Sequence, residues 1–144
     1  MEATDYVTGG TGAALFRVPD PFQNMIELDR ESWEHILEGH PDMRGLRRAL
    51  ENTVRNPGAV YLSTKSDEAL LFHGYNLLAP DQRIIRVVIT YESIADIEDV
   101  RQGGYSGIVN TALPMRPSNE MSGNIGGEFY RRPPAQKRKA RRRR

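Results

Sequence analysis

Four side chains, His40, His73, Arg86 and Thr111, are of the types that phosphate chemistry uses. Cutting an RNA backbone without a metal takes a group that accepts the 2′-hydroxyl proton, a cation that stabilises the charged pentavalent phosphorus, and a donor for the leaving 5′-oxygen. Histidine suits the proton steps because its ordinary pKa is about 6.5. Arginine suits the charge, since its planar fork matches phosphate oxygens. Each residue also has a plainer reading. His40 can simply close a helix, and His73 can be one half of a polar cross-strand pair. Arg86 can bridge to Glu68 on a neighbouring strand, and Thr111 can be a β-branched residue filling a strand.

The elements that must position these groups can be read from spacing. Asp29 is a good N-cap, with Leu28 and Trp33 as a hydrophobic staple; Trp33, Ile36 and Leu37 give the first helix one apolar face. Gly39 is expected as a left-handed C-cap, His40-Pro41 as a helix-helix corner, and Asp42 as the cap of a second helix. In that helix Leu46, Ala49, Leu50, Thr53 and Val54 follow helical periodicity, and Asn56-Pro57-Gly58 ends it. Ala59 to Ser63 and Ala69 to Tyr75 read as a hairpin with Lys65 at its tip, and Asn76 to Asp81 as the next turn. Arg83 to Tyr91 is the strongest strand, with Ile85, Val87, Ile89 and Tyr91 on the face the helices cover and Ile84, Arg86 and Val88 on the other. Glu92 to Gly104 is an acidic loop with room for a helical turn, and Tyr105 to Ala112 is the last strand. On these strands His73 shares a side with Leu71 and Tyr75, which would offer RNA a proton carrier and a stacking group. Asn110 and Thr111, being adjacent, should face opposite ways.

The succession Trp33-x-x-Ile36-x-x-x-His40-Pro41, the helix closing at Asn56-Pro57, the strand Arg86-Val87-Val88-Ile89 and the late Ile108-Val109-Asn110-Thr111-Ala112 resemble the phage nuclease families of the barnase, EndoU, colicin and RelE superfamily, over about Leu28 to Ala112. The resemblance implies an α+β fold, with two N-terminal helices packed on a curved antiparallel sheet of about four strands, and metal-free RNA cleavage on the open sheet face. His40 would match the family's helix-end histidine and Thr111 its late-strand hydroxyl. The settings it implies are phage proteins, toxins delivered between bacteria and toxin-antitoxin systems.

Composition bounds the remainder. The 144 residues suit one domain with tails, expected as a flexible segment 1–27, a nuclease-like body 28–113, a Gly/Pro-rich extension 114–130 and a disordered basic tail 131–144. Within the extension, the glycine-rich stretch Ser122 to Gly127 together with Phe129-Tyr130 is a candidate cover for a sheet edge. The tail holds Arg131, Arg132, Lys137, Arg138, Lys139, Arg141, Arg142, Arg143 and Arg144 and no acid, while residues 1–130 carry eleven basic against nineteen acidic residues, a net of minus eight. An acidic body repels a polyanion, and a tethered basic run reverses that locally. The tail, Lys65 and Tyr75 are therefore the candidate nucleic-acid contacts.

Zero cysteines exclude disulfides and thiolate metal sites. His35 and His40 are five apart across a helix end, and Asp96, Glu98 and Asp99 share one loop, so neither a metal nor a cofactor is expected. Gly9-Gly10-Thr11-Gly12 lacks the ending of a phosphate loop, and Ser106 lacks the strand-to-helix setting of a nucleophilic serine. With no apolar leader at Met1 and no long apolar run, a soluble, cytoplasmic protein without a membrane partner is expected. The expected partner is RNA, either tRNA or mRNA, with a cognate inhibitor or antitoxin protein as a further candidate. The alternative is a catalytically silent module that holds nucleic acid or an acidic protein through the tail; an antitoxin-like or virion-assembly role is a third reading.

Overall fold

A computed structural model describes residues 13–75 and 83–134; the expected turn at Asn76 to Asp81, the Gly9 to Gly12 stretch and the basic residues Lys137 to Arg144 lie outside them. Chain organisation starts earlier than the helices. β1 (Ala14–Pro19) and β2 (Met25–Asp29) form an antiparallel hairpin, with Phe16, Val18, Ile26 and Leu28 turned into the core by strict alternation. The turn between them is built by side chains. Asp20 Oδ1 accepts from the backbone N–H of Phe22 and Asn24, each at 2.9 Å, while Tyr91 Oη donates to Asp20 Oδ2 at 2.7 Å. Asn24 Nδ2 donates to the Val100 carbonyl at 3.0 Å and Asn24 Oδ1 accepts from Tyr105 N–H at 3.0 Å, so this buried turn is tied to a distant loop.

Asp29 caps α1 (Arg30–Gly39), its carboxylate accepting from Ser32 N–H at 2.7 Å. The helix ends at His40, whose φ of −137° and ψ of 75° lie outside the helical region, which the following proline disfavours. Gly39 is still helical and is not the left-handed cap expected of it, because Pro41 already stops the helix one residue on. Asp42 falls inside a short 3-10 turn (Pro41–Met43), and α2 (Arg47–Arg55) begins after the left-handed Gly45 without a side-chain cap.

Five further strands follow: β3 (Ala59–Ser63), β4 (Ala69–Gly74), β5 (Ile84–Tyr91), β6 (Ser106–Met115) and β7 (Ile125–Arg131). A 3-10 turn at Ile97–Gln102 sits in the acidic loop before β6. The sheet has seven strands in the order β1-β2-β6-β5-β4-β3-β7, antiparallel throughout except for the parallel β2–β6 pair. Two N-terminal helices on a curved antiparallel sheet of about four strands is therefore not the architecture. The four expected strands are the middle of a larger mixed sheet, extended on one edge by β1 and β2 and on the other by β7. Within the segment 1–27 expected to be flexible lie β1 and the start of β2; within the Gly/Pro-rich extension, β7 pairs with β3 and carries Phe129 into the core.

Both helices lie over one face. Ile36, Leu50 and Val54 pack with Val60, Leu70, Phe72, Ile85, Val87, Ile89 and Tyr91, and Phe129 joins them from β7. The alternation read in β5 is thus realised: its odd-numbered residues face the helices and its even-numbered residues face away. Among the described residues no helix is long and apolar enough to cross a membrane.

Candidate active site

On the face away from the helices, alternation and register place His73 (β4) directly beside Arg86 (β5) and Arg86 beside Leu113 (β6). The neighbouring row is Leu71, Val88 and Thr111. Ala59, Tyr61 and Leu71 form a small apolar cluster under this face, with Tyr75, Val88 and Ile125 packed against it. His73 is fully buried and Arg86 is only 7% exposed.

The two are bonded to each other: Arg86 Nε–H donates to His73 Nε2 at 3.0 Å. A guanidinium has donors only, so Nε2 presents its lone pair and the imidazole proton sits on Nδ1. Nδ1 points toward Glu120 Oε2, which stands 3.6 Å away, beyond hydrogen-bond reach, and has no hydrogen-bond partner among the described residues. Burial, and after it the Arg86 charge, lowers the His73 pKa from 6.5 to about 4, with the Glu120 carboxylate opposing. His73 is therefore neutral at pH 7. Burial also lowers the Arg86 pKa, against the pull of Glu120.

Glu120 reaches the couple from a strap, residues 116–124, which leaves β6 and leads into β7. Its backbone carbonyl accepts from Arg86 Nη2 at 2.8 Å, and its carboxylate accepts a short hydrogen bond from Tyr75 Oη. Burial and then that contact push the Tyr75 pKa far up, so the hydroxyl keeps its proton. The Tyr75 ring lies against Gly58, where a Cβ would stand 2.2 Å from the ring, and edge-on to His73 with centroids 6.3 Å apart. Tyr61 packs against the imidazole at a tilt, centroids 5.0 Å apart, and its hydroxyl accepts from Arg131 Nη2 at 3.2 Å.

The other residues singled out from sequence fall elsewhere. Thr111 shares the face of Arg86, one row away and half-buried. Asn110 hydrogen-bonds Thr90 on that same side, against the expectation that it would face opposite to Thr111, because a register shift between Val88 and Ile89 leaves Asn110 bulged. His40 ends α1, in the helical layer on the opposite side of the sheet, and is not brought to the His73–Arg86 couple. His35 is exposed, 3.9 Å from Glu38. Lys65 is exposed at the hairpin tip. Arg86 binds His73 and Glu120, not the Glu68 of its plainer reading. Arg131 pairs with Glu128 at 2.8 Å, and Arg132 donates to the Asn56 carbonyl at 3.3 Å.

Tyr61 and Glu120 were not legible as site residues. Tyr61 had one signal, its place on the strand expected to pair with that of His73, two residues from Ala59, which the register sets opposite His73. Glu120, 34 residues beyond Arg86 in a Pro-Ser-Asn stretch, had none. Among the described residues no group of three or more His, Cys, Asp or Glu is placed to hold a metal ion. Comparison with family models, with curated proteins and with solved structures finds no match to this chain.

Proposed function

We propose that this protein is a metal-independent endoribonuclease acting on the sheet face that carries His73, Arg86, Tyr75 and Thr111. The observation that supports it is the direct contact of an imidazole and a guanidinium on the face the helices leave free. In the reaction, the 2′-oxygen of a ribose bonds to the adjacent phosphorus and the bond from phosphorus to the 5′-oxygen breaks. The products are a 2′,3′-cyclic phosphate and a 5′-hydroxyl.

His73, neutral at pH 7, takes the 2′ proton at Nε2 once Arg86 Nε–H turns from that lone pair to the phosphoryl oxygens, whose charge the guanidinium stabilises, and afterwards passes the proton to water. Thr111 donates its hydroxyl to one of those oxygens. Tyr75, which holds its proton, gives it to the leaving 5′-oxygen and regains one from water. His40 has no part in this reading. The nine basic residues of 131–144 gather RNA at an acidic body, and an inhibitor protein is the partner such an enzyme needs where it is made.

The test is total RNA incubated with the protein in EDTA, beside Arg86→Gln and His40→Ala. Discrete fragments lost with Arg86→Gln and kept with His40→Ala are expected; intact RNA with every folded protein would end the proposal.

A second reading has its own observation. A fully buried His73 beside a nearly sealed Arg86 is also what a structural polar network looks like. On this reading the chain is a binding module whose tail holds nucleic acid. Ending the chain at Pro134 spares β7 and removes seven basic residues. At about 0.7 per single-strand phosphate contact, the slope of log affinity against log salt should then fall by up to about 5. Binding lost this way with no cleavage at any salt favours the module.

A further inference from the structure

We infer that Glu120 occupies the seat of a substrate phosphate, and that the strap 116–124 holds the site latent until a phosphate displaces it. This rests on the ribonuclease reading but can fail separately from it.

Three donors that suit a phosphate face one residue, Glu120: Tyr75 Oη and the His73 Nδ1 hydrogen toward its carboxylate, and Arg86 Nη2 toward its backbone carbonyl. Glu120 answers two of them, one with its carbonyl and one with its carboxylate. The third it misses. His73 Nδ1 is completely buried, aimed at Oε2 and unpartnered at 3.6 Å. A buried donor without an acceptor is costly, and native interiors rarely leave one. As the strap holds them, the carboxylate and carbonyl of Glu120 serve two of the three donors. A tetrahedral phosphate has oxygens spread in three dimensions to serve all three.

The strap is also built to leave. Between β6 and β7 its structure is a single 3-10 turn (Pro117–Asn119) and local turn hydrogen bonds. Residues 116–119 and 121–124 are exposed, and Met121, at 58% exposure, contributes little burial to hold the strap down. Its ties to the sheet are those of Glu120 and the Asn124 carbonyl accepting from Thr64 N–H at 3.0 Å. Such segments open at a small fraction of the cost of global unfolding. Gly123 has φ 83°, and a Cβ there would stand 3.0 Å from Arg86 Nη1, so glycine lets the strap close over the guanidinium without strain. With the strap in place Arg86 is 7% exposed, and a phosphate reaches its fork only after Glu120 moves. Departure of the strap exposes Arg86 and rehydrates His73 together, so the groups that bind and react are freed in one step.

The experiment titrates inorganic phosphate into the full-length protein while following the His73 ring signals by NMR, with RNA cleavage in EDTA measured alongside. Glu120→Ala should bind phosphate ten-fold or more tighter than wild type, the scale of one hydrogen bond to a charged group, and should cut RNA ten-fold or more faster. Gly123→Ala, which keeps the carboxylate but strains the strap, should move both in the same direction, and it decides the matter if Glu120→Ala does not fold. Adding Arg86→Gln should abolish the gain. Phosphate affinity in the folded variants equal to or below that of wild type, or a gain that survives Arg86→Gln, overturns the inference. Tighter phosphate binding without cleavage in any variant upholds the strap and discards the ribonuclease.

Discussion

His73 makes this protein's stability depend on pH in a calculable way. Its pKa is about 4 in the folded protein against 6.5 for the free side chain. Between those values the unfolded chain binds a proton that the folded chain refuses, so stability falls as pH drops through 6.5 and levels off below 4. One pKa unit corresponds to about 1.4 kcal/mol, so going from pH 7 to pH 4.5 costs roughly 2 to 3 kcal/mol through this residue alone. His73→Gln keeps an acceptor for Arg86 Nε–H and removes the titration. Urea unfolding at the two pH values reads the effect. Carboxylates also contribute, and the comparison of wild type with His73→Gln cancels them. With a typical urea dependence, the wild-type midpoint should drop by on the order of 1 M to 2 M more than that of His73→Gln. Equal drops, or His73 ring signals titrating near pH 6.5 in the folded protein, would refute the burial argument.

Other outcomes follow from single contacts. Asp29→Ala removes the cap on α1 and should cost about 1 kcal/mol in urea unfolding. Tyr91→Phe leaves Asp20 Oδ2, deep in the β1–β2 turn, with one fewer donor, for a loss of about 1 to 3 kcal/mol by the same assay. Gly58→Ala puts a methyl into the Tyr75 ring; a loss of about 1 to 3 kcal/mol is expected, with a changed tyrosine environment in near-ultraviolet circular dichroism.

The parts legible in the sequence were those fixed by local rules. β3 matches its expected bounds, Asp29 caps where its carboxylate precedes the apolar period, and the faces of β5 follow from alternation, which is how His73 and Arg86 could be assigned to one side. The rest depended on partners distant in sequence. Phe16/Val18 and Ile26/Leu28 do alternate, but Pro19-Asp20-Pro21 reads as a break, and only the bonds to Tyr91, Val100 and Tyr105 make it a buried turn. Pro19 is tolerated because it ends an edge strand. β7 hides behind Gly126-Gly127, which fit since the strand has only β3 to pair with. The parallel β2–β6 pairing joins residues about 80 apart, and no local pattern announces it. Glu120 became visible only when the strap was seen to lie on Arg86. His40 sat at the expected corner, but the topology puts that corner on the other side of the sheet.

The most direct test of the central claim is end-group mass spectrometry of a defined RNA incubated in EDTA with wild-type protein and with Glu120→Ala. The account predicts 2′,3′-cyclic phosphate and 5′-hydroxyl ends, more of them with Glu120→Ala, and none at a linkage whose ribose carries a 2′-O-methyl group. Cleavage at the 2′-O-methyl linkage, 5′-phosphate ends, or no cleavage by either folded protein would contradict it.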